Sequence, residues 1–220
     1  MITLCQAAKG GSGTTVVACT RAITSPGPAL LVDLDGDVPR MLGIDDPGRP
    51  GAVDWLASDA PTAHLDDLLV TVTPNCTLLP AHGSGIRATS LDRRRERWDD
   101  LFAWLSEWSG DTGGSAVIDA GTIPVPTSLL EQCQSRWLVT RACYLALRRA
   151  AALPVRPTGV VLVEEPGRAL RRRHVQDAIG APVIATVAWD IRVARAVDAG
   201  LLVAGRLPRA LQRAIGSVTA

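Results

Sequence analysis

The sequence predicts an α/β fold with a doubly wound, mainly parallel sheet and helices on both of its faces. Seven short runs rich in Val, Ile and Leu lack a polar alternate face, as strands covered on both sides do. Longer amphipathic stretches separate them in strand-then-helix order, which implies right-handed crossovers. A glycine-rich turn, "KGGSGTT" from Lys9 to Thr15, joins the first such run to the first amphipathic stretch.

The strands are expected at Ile2 to Ala7, Ala29 to Asp33, Cys76 to Pro80, Ala116 to Asp119, Trp137 to Thr140, Gly159 to Val163 and Val183 to Val187. The helices are expected at Thr14 to Ile23, Gly51 to Ala57, Leu91 to Trp108, Pro126 to Gln132, Tyr144 to Ala152, Arg168 to Ile179, Arg192 to Ala199 and Pro208 to Ile215. In the third of these, Trp98, Leu101, Phe102, Leu105 and Trp108 recur at helical spacing and form one apolar stripe. Arg93, Arg94, Arg95 and Arg97 crowd its start, either as a solvated end or as a basic docking patch. Turn-rich clusters at 24–28, 45–51 and 109–114 are too short for interdomain linkers, so residues 1–220 are expected to form one domain.

Composition narrows the function classes. The formal net charge of +1 provides no global field for nucleic acid or an anionic membrane, so any such contact needs a local patch. The five cysteines form no CxxC pair and no metal-ligand spacing with the three histidines, and read as buried free thiols in a reducing compartment. The start "MITLCQAA" lacks a basic n-region and runs straight into the glycine turn. With no apolar run near the ~20 residues of a membrane span, the protein is expected to be cytoplasmic.

The glycine turn is the place for chemistry. Gly10, Gly11 and Gly13 let backbone N–H groups turn toward an anion without an obstructing Cβ. The positive end of the following helix adds attraction. Thr15 stands where a P-loop places its Mg²⁺-binding hydroxyl. The chain holds 22 arginines and a single lysine, and that lysine, Lys9, opens the turn. The bland alternative is a strand–helix turn that holds nothing.

"KGGSGTT" resembles the deviant phosphate loop of the MinD/ParA family of P-loop NTPase-like proteins, whose pattern is K-G-G-x-x-K-[ST]. "LLVDLDGDVPRMLGI" (30–44) resembles the family's second acidic motif, and "AVIDAG" (116–121) its second carboxylate strand. "VAWDIRVARAVDAG" (187–200) resembles the stretch before its last helices. The branch associated with Tad-type pilus assembly (CpaE/TadZ-like), with related septum-site-determining proteins of high-GC bacteria, is the nearest likeness. The resemblance implies that residues 9–15, Lys9, Gly10, Gly11, Ser12, Gly13, Thr14 and Thr15, cradle ATP. It implies that Thr15 and Asp119 hold Mg²⁺, and that Lys9 reaches the phosphates of the other subunit in a nucleotide-sandwich homodimer. Phosphoryl transfer to water also needs a group that positions the water. Asp35 is the expected one, with Asp33 assisting the metal.

The sequence departs from the family at three places. Thr14 stands where the loop's second lysine belongs, so the cis clamp on the phosphates is lost, a charge-assisted contact worth ~1.5–3 kcal/mol. Nucleotide binding is therefore expected and hydrolysis is expected to be slow or absent. After Val163 the chain reads "VEEPGR" where relatives supply an adenine-reading Asn, leaving Glu164 or Glu165 to accept from an adenine amino group. Trp189 stands where a proline often meets the base. We expect it in the core, with stacking on a purine as the alternative.

Two further basic stretches, "RALRRRHVQ" (168–176) and "RLPRALQRAI" (206–215), resemble helices that relatives use on DNA or membranes. In the second, Leu207, Leu211 and Ile215 oppose Arg206, Arg209 and Arg213, and packing of that apolar stripe on the domain is the expectation. DNA is the weaker alternative, and direct membrane binding is not expected. The function expected is a nucleotide-responsive spatial organiser for a partner machine such as a pilus or secretion apparatus. The alternatives are a nucleotide-independent scaffold of the same fold and, less favoured, an ATP-dependent ligase.

Overall fold

The computed structural model describes residues 1–45, 48–82, 94–203 and 207–218. In chain order the elements are β1 (Ile2–Gln6), α1 (Thr14–Ile23), β2 (Ala29–Asp33), α2 (Val38–Leu42), α3 (Ala52–Ala57), α4 (His64–Asp67), β3 (Val70–Thr73), β4 (Cys76–Leu79), α5 (Arg95–Thr112), β5 (Ser115–Asp119), α6 (Thr127–Gln132), β6 (Ser135–Arg141), α7 (Tyr144–Ala150), β7 (Gly159–Glu164), α8 (Arg172–Ile179), β8 (Val183–Ala188), α9 (Ile191–Asp198) and α10 (Arg209–Gly216).

The strands form one sheet in the order β3-β4-β2-β5-β1-β6-β7-β8, parallel except where β3 runs against β4. Successive residues of a strand point to opposite faces, and both faces are apolar. Leu31 of β2 packs with Val17 of α1, Met41 of α2 and Leu211 of α10 on one face. Leu30 and Val32 pack with Trp55 of α3 and Trp98 and Leu101 of α5 on the other. On that second face, under β6, β7 and β8, Leu138, Val160 and Leu162 pack against Leu147 of α7 and Val175 of α8. This is the doubly wound architecture that the uninterrupted apolar runs imply.

The chain leaves β1 toward β2 on one side of the sheet, and later places β6 on the other. The carboxyl ends of β1, β5 and β6 therefore flank a switch point, where open α/β sheets hold ligands. Backbone hydrogen bonds tie the segments there. Ala7 N donates to Gly121 O at 2.7 Å, Leu34 N to Asp119 O at 2.9 Å and Ala120 N to Cys5 O at 2.9 Å.

Four elements depart from expectation. Strand β3 reads "VTVT", an alternating pattern suited to a sheet edge that a search for continuous apolar runs passes over. The short helices α2 and α4 were not expected. Helix α8 begins at Arg172 rather than Arg168, because Glu165 holds the Arg168 guanidinium and His174 Nδ1 accepts the Arg171 N–H at 2.9 Å. The expected helix start at Leu91 lies outside the described residues, as do Arg93 and Arg206.

Within α5, Trp98, Leu101 and Leu105 are buried as expected, while Phe102 and Trp108 are half-buried; Trp104 is buried as well and donates to Asp66. Two of the arginines at its start, Arg94 and Arg97, make contacts within the fold, while Arg95 is exposed. Arg94 bonds Asp59 at 2.8 Å, and Arg97 stacks 3.6 Å over the Trp55 ring while donating to two backbone carbonyls. Leu207, Leu211 and Ile215 are buried on α1 and the sheet, leaving Arg209 and Arg213 outward. Four cysteines are buried free thiols and Cys143 is half-buried. No helix among the described residues is long and apolar enough to cross a membrane.

Candidate functional site

The loop between β1 and α1 is shaped for a guest. Gly11 and Gly13 take φ of +73° and +90°, the left-handed region that glycine enters at little cost. A Cβ at Gly10, Gly11 or Gly13 would meet nothing within 4 Å, so the loop borders open space. Gly13 caps α1 without any side-chain hydrogen bond, which leaves the first-turn amides of the helix for an anion. Ser12, Thr14 and Thr15 are buried, and the Ser12 hydroxyl donates to Lys9 O at 2.7 Å, closing the turn.

The loop forms one wall of a cavity of about 450 Å³. Asp35, Gly121 and Thr122 continue that wall. The rest of the lining comes from Arg141 at the end of β6, next to β1, and from Val163 of β7, Val187 of β8, Trp189, and Val193 and Val197 of α9. The loop thus contributes backbone amides to the lining, and β7, β8 and α9 contribute mainly apolar side chains together with Asp190 and Asp198.

Three carboxylates stand beside the loop, and each is held differently. Asp33 and Asp119 are level neighbours on β2 and β5. Asp33 is fully buried and accepts N–H bonds from Asp35 at 3.0 Å, Gly36 at 2.8 Å and Val38 at 3.2 Å. Burial pushes its carboxyl up to about 6, against the pull of those amides. Its oxygens are occupied in shaping the turn that presents Asp35. Asp35 is exposed, and burial of its inner edge, with Asp37 nearby, raises its pKa. Its Oδ2 would lie 2.0 Å from a Cβ on Gly121, a residue at φ +50°, so the glycine is what lets Asp35 come in. Asp119 is fully buried. Burial pushes its carboxyl up to about 7, the Thr15 hydroxyl beside it pulls down, and Asp33 pushes up. Oδ1 accepts the Gly121 N–H at 3.1 Å, but Oδ2 has no hydrogen-bond partner among the described residues.

A buried carboxylate oxygen with no donor, next to a threonine hydroxyl and a second buried acid, is what a divalent cation would complete. The donor set of Thr15 and Asp119 fits Mg²⁺, and the uncapped amides above it fit phosphate. Of the expected residues, Lys9 to Thr15 and Asp35 line this cavity, while Asp33 and Asp119 are fully buried and are not among its lining residues.

On the far wall the expectations fare unevenly. Trp189 is 43% exposed and lines the cavity, which corrects its expected burial: α9 starts two residues later, after its Asp190 cap, and turns the indole away from the core. Glu165 is taken by Arg141 and Arg168, so it offers no free acceptor for a base. Glu164 is exposed and does not line the cavity. Reasoning from sequence missed Arg141 and the valines of α9. The signal available was a charged residue closing the apolar run "WLVTR", at a strand's carboxyl end.

No protein-family model matches the chain, and comparison with curated proteins finds no match. Solved structures do match in fold. A ParA family ATPase from Chlorobium tepidum TLS superposes with a TM-score of 0.75 at 18% sequence identity, over 98% of this chain and 95% of that one. The septum site-determining protein MinD of Pyrococcus horikoshii OT3, complexed with Mg-ADP, gives 0.72 at 20% identity, over 99% and 94%. A chain of the MinC:MinD cell division protein complex of Aquifex aeolicus gives 0.73 at 14% identity, over 97% and 93%. The fold is therefore that of ParA- and MinD-type P-loop proteins.

Proposed function

We propose that this chain is a MinD/ParA-like ATP-binding protein with weak or no hydrolysis. In this reading, nucleotide biases a monomer–homodimer equilibrium and the dimer positions a partner machine in the cytoplasm. The observation that supports it best is the uncapped glycine cradle beside Asp119, whose Oδ2 lacks a partner, at the mouth of a cavity of nucleotide size. The fold neighbours support it too, one being an Mg-ADP complex and another a complex with a partner protein. A pilus or secretion apparatus is the machine we favour, from the likeness to the Tad-pilus branch.

In this reading the amides of Gly10 to Thr15 hold the phosphates, Thr15 and Asp119 hold Mg²⁺, and Trp189 stacks on the base. Bound Mg²⁺ supplies charge neutralisation at the β- and γ-phosphate oxygens. Asp35 accepts from and orients a water, while Asp33 contributes through the turn it ties together. Thr14 brings no charge, so little of the stabilisation that fast phosphoryl transfer needs comes from the loop in cis.

Lys9 lines the cavity without an ion-pair partner among the described residues, and its extended ammonium suits the phosphates of a second copy. Molar mass from light scattering, with and without Mg·ATP, tests this. Wild type should gain dimer with Mg·ATP, and Lys9→Ala should lose most of that gain while its melting temperature stays put. A dimer fraction in Lys9→Ala equal to wild type would remove the cross-subunit role. Thr14 also favours a second reading, a pure scaffold, under which wild type dimerises equally without nucleotide.

A further inference from the structure

The cavity has a charge problem that the loop does not solve. Its described lining carries four carboxylates, Asp35, Asp37, Asp190 and Asp198, and only two cations, Lys9 and Arg141. A polyphosphate entering there needs more positive charge than Lys9 alone supplies, and Thr14 adds none. Arg141 closes β6, the strand beside β1, and pairs across the sheet with Val163 of β7. It therefore sits between the end of the cavity that the loop forms and the end that Trp189 forms.

Its hydrogen bonding is incomplete. Nη1 donates to Glu165 Oε1 at 2.6 Å, while Nε is buried with no acceptor among the described residues, and the side chain is one-third exposed. Glu165 does not need Arg141 for neutralisation. Its other oxygen, Oε2, accepts from Arg168 Nε at 2.6 Å, so one carboxylate serves two guanidiniums and the trio keeps one net positive charge. A partly exposed ion pair is a weak reason to hold an arginine here. A guanidinium carries five donors in a planar fork that matches phosphate oxygens, and most of those of Arg141 are unspent.

Building on the nucleotide reading, we propose that Arg141 is a phosphate-binding residue that supplies, from β6, the cationic contact Thr14 leaves vacant in the loop. Glu165 is its positioning residue, keeping the guanidinium against the cavity wall until an anion draws its free edge inward. The site would accept nucleoside di- and triphosphates, and the gain would lie in the phosphates rather than in the base.

Calorimetric titrations of Mg·ATP, Mg·ADP and adenosine into wild type, Arg141→Gln and Arg168→Gln test this. Arg141→Gln should weaken Mg·ATP and Mg·ADP about tenfold or more, the loss of one charge-assisted contact, and leave adenosine unchanged. Arg168→Gln removes a charge from the same carboxylate but does not line the cavity, and should stay within about twofold of wild type. An equal loss for adenosine in Arg141→Gln, an equal loss in Arg168→Gln, or no loss at all would each overturn the assignment. Should Arg141→Gln fail to fold, Arg141→Lys keeps the charge without the fork. A fall of about threefold in Mg·ATP affinity with adenosine unmoved supports the contact, and unchanged affinity overturns it. Failure of wild type to bind Mg·ATP is a separate result, and it strikes the nucleotide reading before any variant is compared.

Discussion

The two walls of the cavity are built by different means. The wall at the ends of β1, β2 and β5 is held by backbone: three inter-segment amide bonds, glycines at positive φ, and an Asp33 carboxylate committed to three N–H groups. The wall at the ends of β6, β7 and β8 is held by side chains: an Arg141–Glu165–Arg168 cluster, an exposed Trp189 and the valines of α9. Anion and metal binding require donors fixed to within tenths of an ångström, which backbone supplies. In the proposed nucleotide reading the second wall meets the base, and there the chain departs most from the pattern it resembles.

The sharpest contrast concerns Asp119, which only the first wall possesses. Its folded pKa of about 7 lies above its ordinary value of 3.8. The folded state therefore holds the proton more tightly, so this stability is present below pH 4 and is lost as pH rises to about 7. Asp33, raised to about 6, adds in the same sense. Asp119→Asn should then stabilise the unliganded chain at pH 8 by about 2–4 kcal/mol and change little at pH 4. Chemical denaturation at the two pH values checks this. Mg²⁺ with nucleotide should raise the stability of wild type but not of the variant, and an equal response in both would take Asp119 out of the metal site.

Thr14→Lys probes the same wall by adding what it lacks. If the cradle is intact, affinity for Mg·ATP should rise about tenfold or more, one charge-assisted contact. A loss of affinity would show that Thr14 packs where the lysine would have to go. Hydrolysis measured by phosphate release should be slow in wild type, and fast turnover abolished by Asp35→Ala would contradict the weak-hydrolysis reading.

The smallest effect is expected on the second wall. Trp189→Ala should weaken ATP and adenosine alike by about fivefold, the value of one aromatic stacking contact. Quenching of tryptophan fluorescence on ATP addition should disappear with the indole. Unequal losses for ATP and adenosine would place Trp189 near the phosphates instead.

The legibility of the sequence follows the same division. Short continuous apolar runs alternating with amphipathic stretches suit doubly covered strands, so the parallel sheet was readable; β3 was not, because "VTVT" alternates. Gly11, Gly13 and the acids ending β2 and β5 were readable because backbone chemistry demands those residue types at those positions. That Asp33 would spend both oxygens on amides was not, since the spacing of two carboxylates does not tell which one turns inward. Trp189 and Arg141 were hidden for a common reason. The direction of a long side chain at a strand's end depends on where the next helix starts and on a partner, Glu165, that lies 24 residues away.

The central claim is that both walls together hold Mg·ATP, and a calorimetric titration of Mg·ATP into the purified chain at pH 7.5 tests it most directly. The account predicts saturable binding of one nucleotide per chain with a Kd in the micromolar range, about −8 kcal/mol, and a weaker response without Mg²⁺. Absence of heat and of any shift in melting temperature at millimolar Mg·ATP would contradict it.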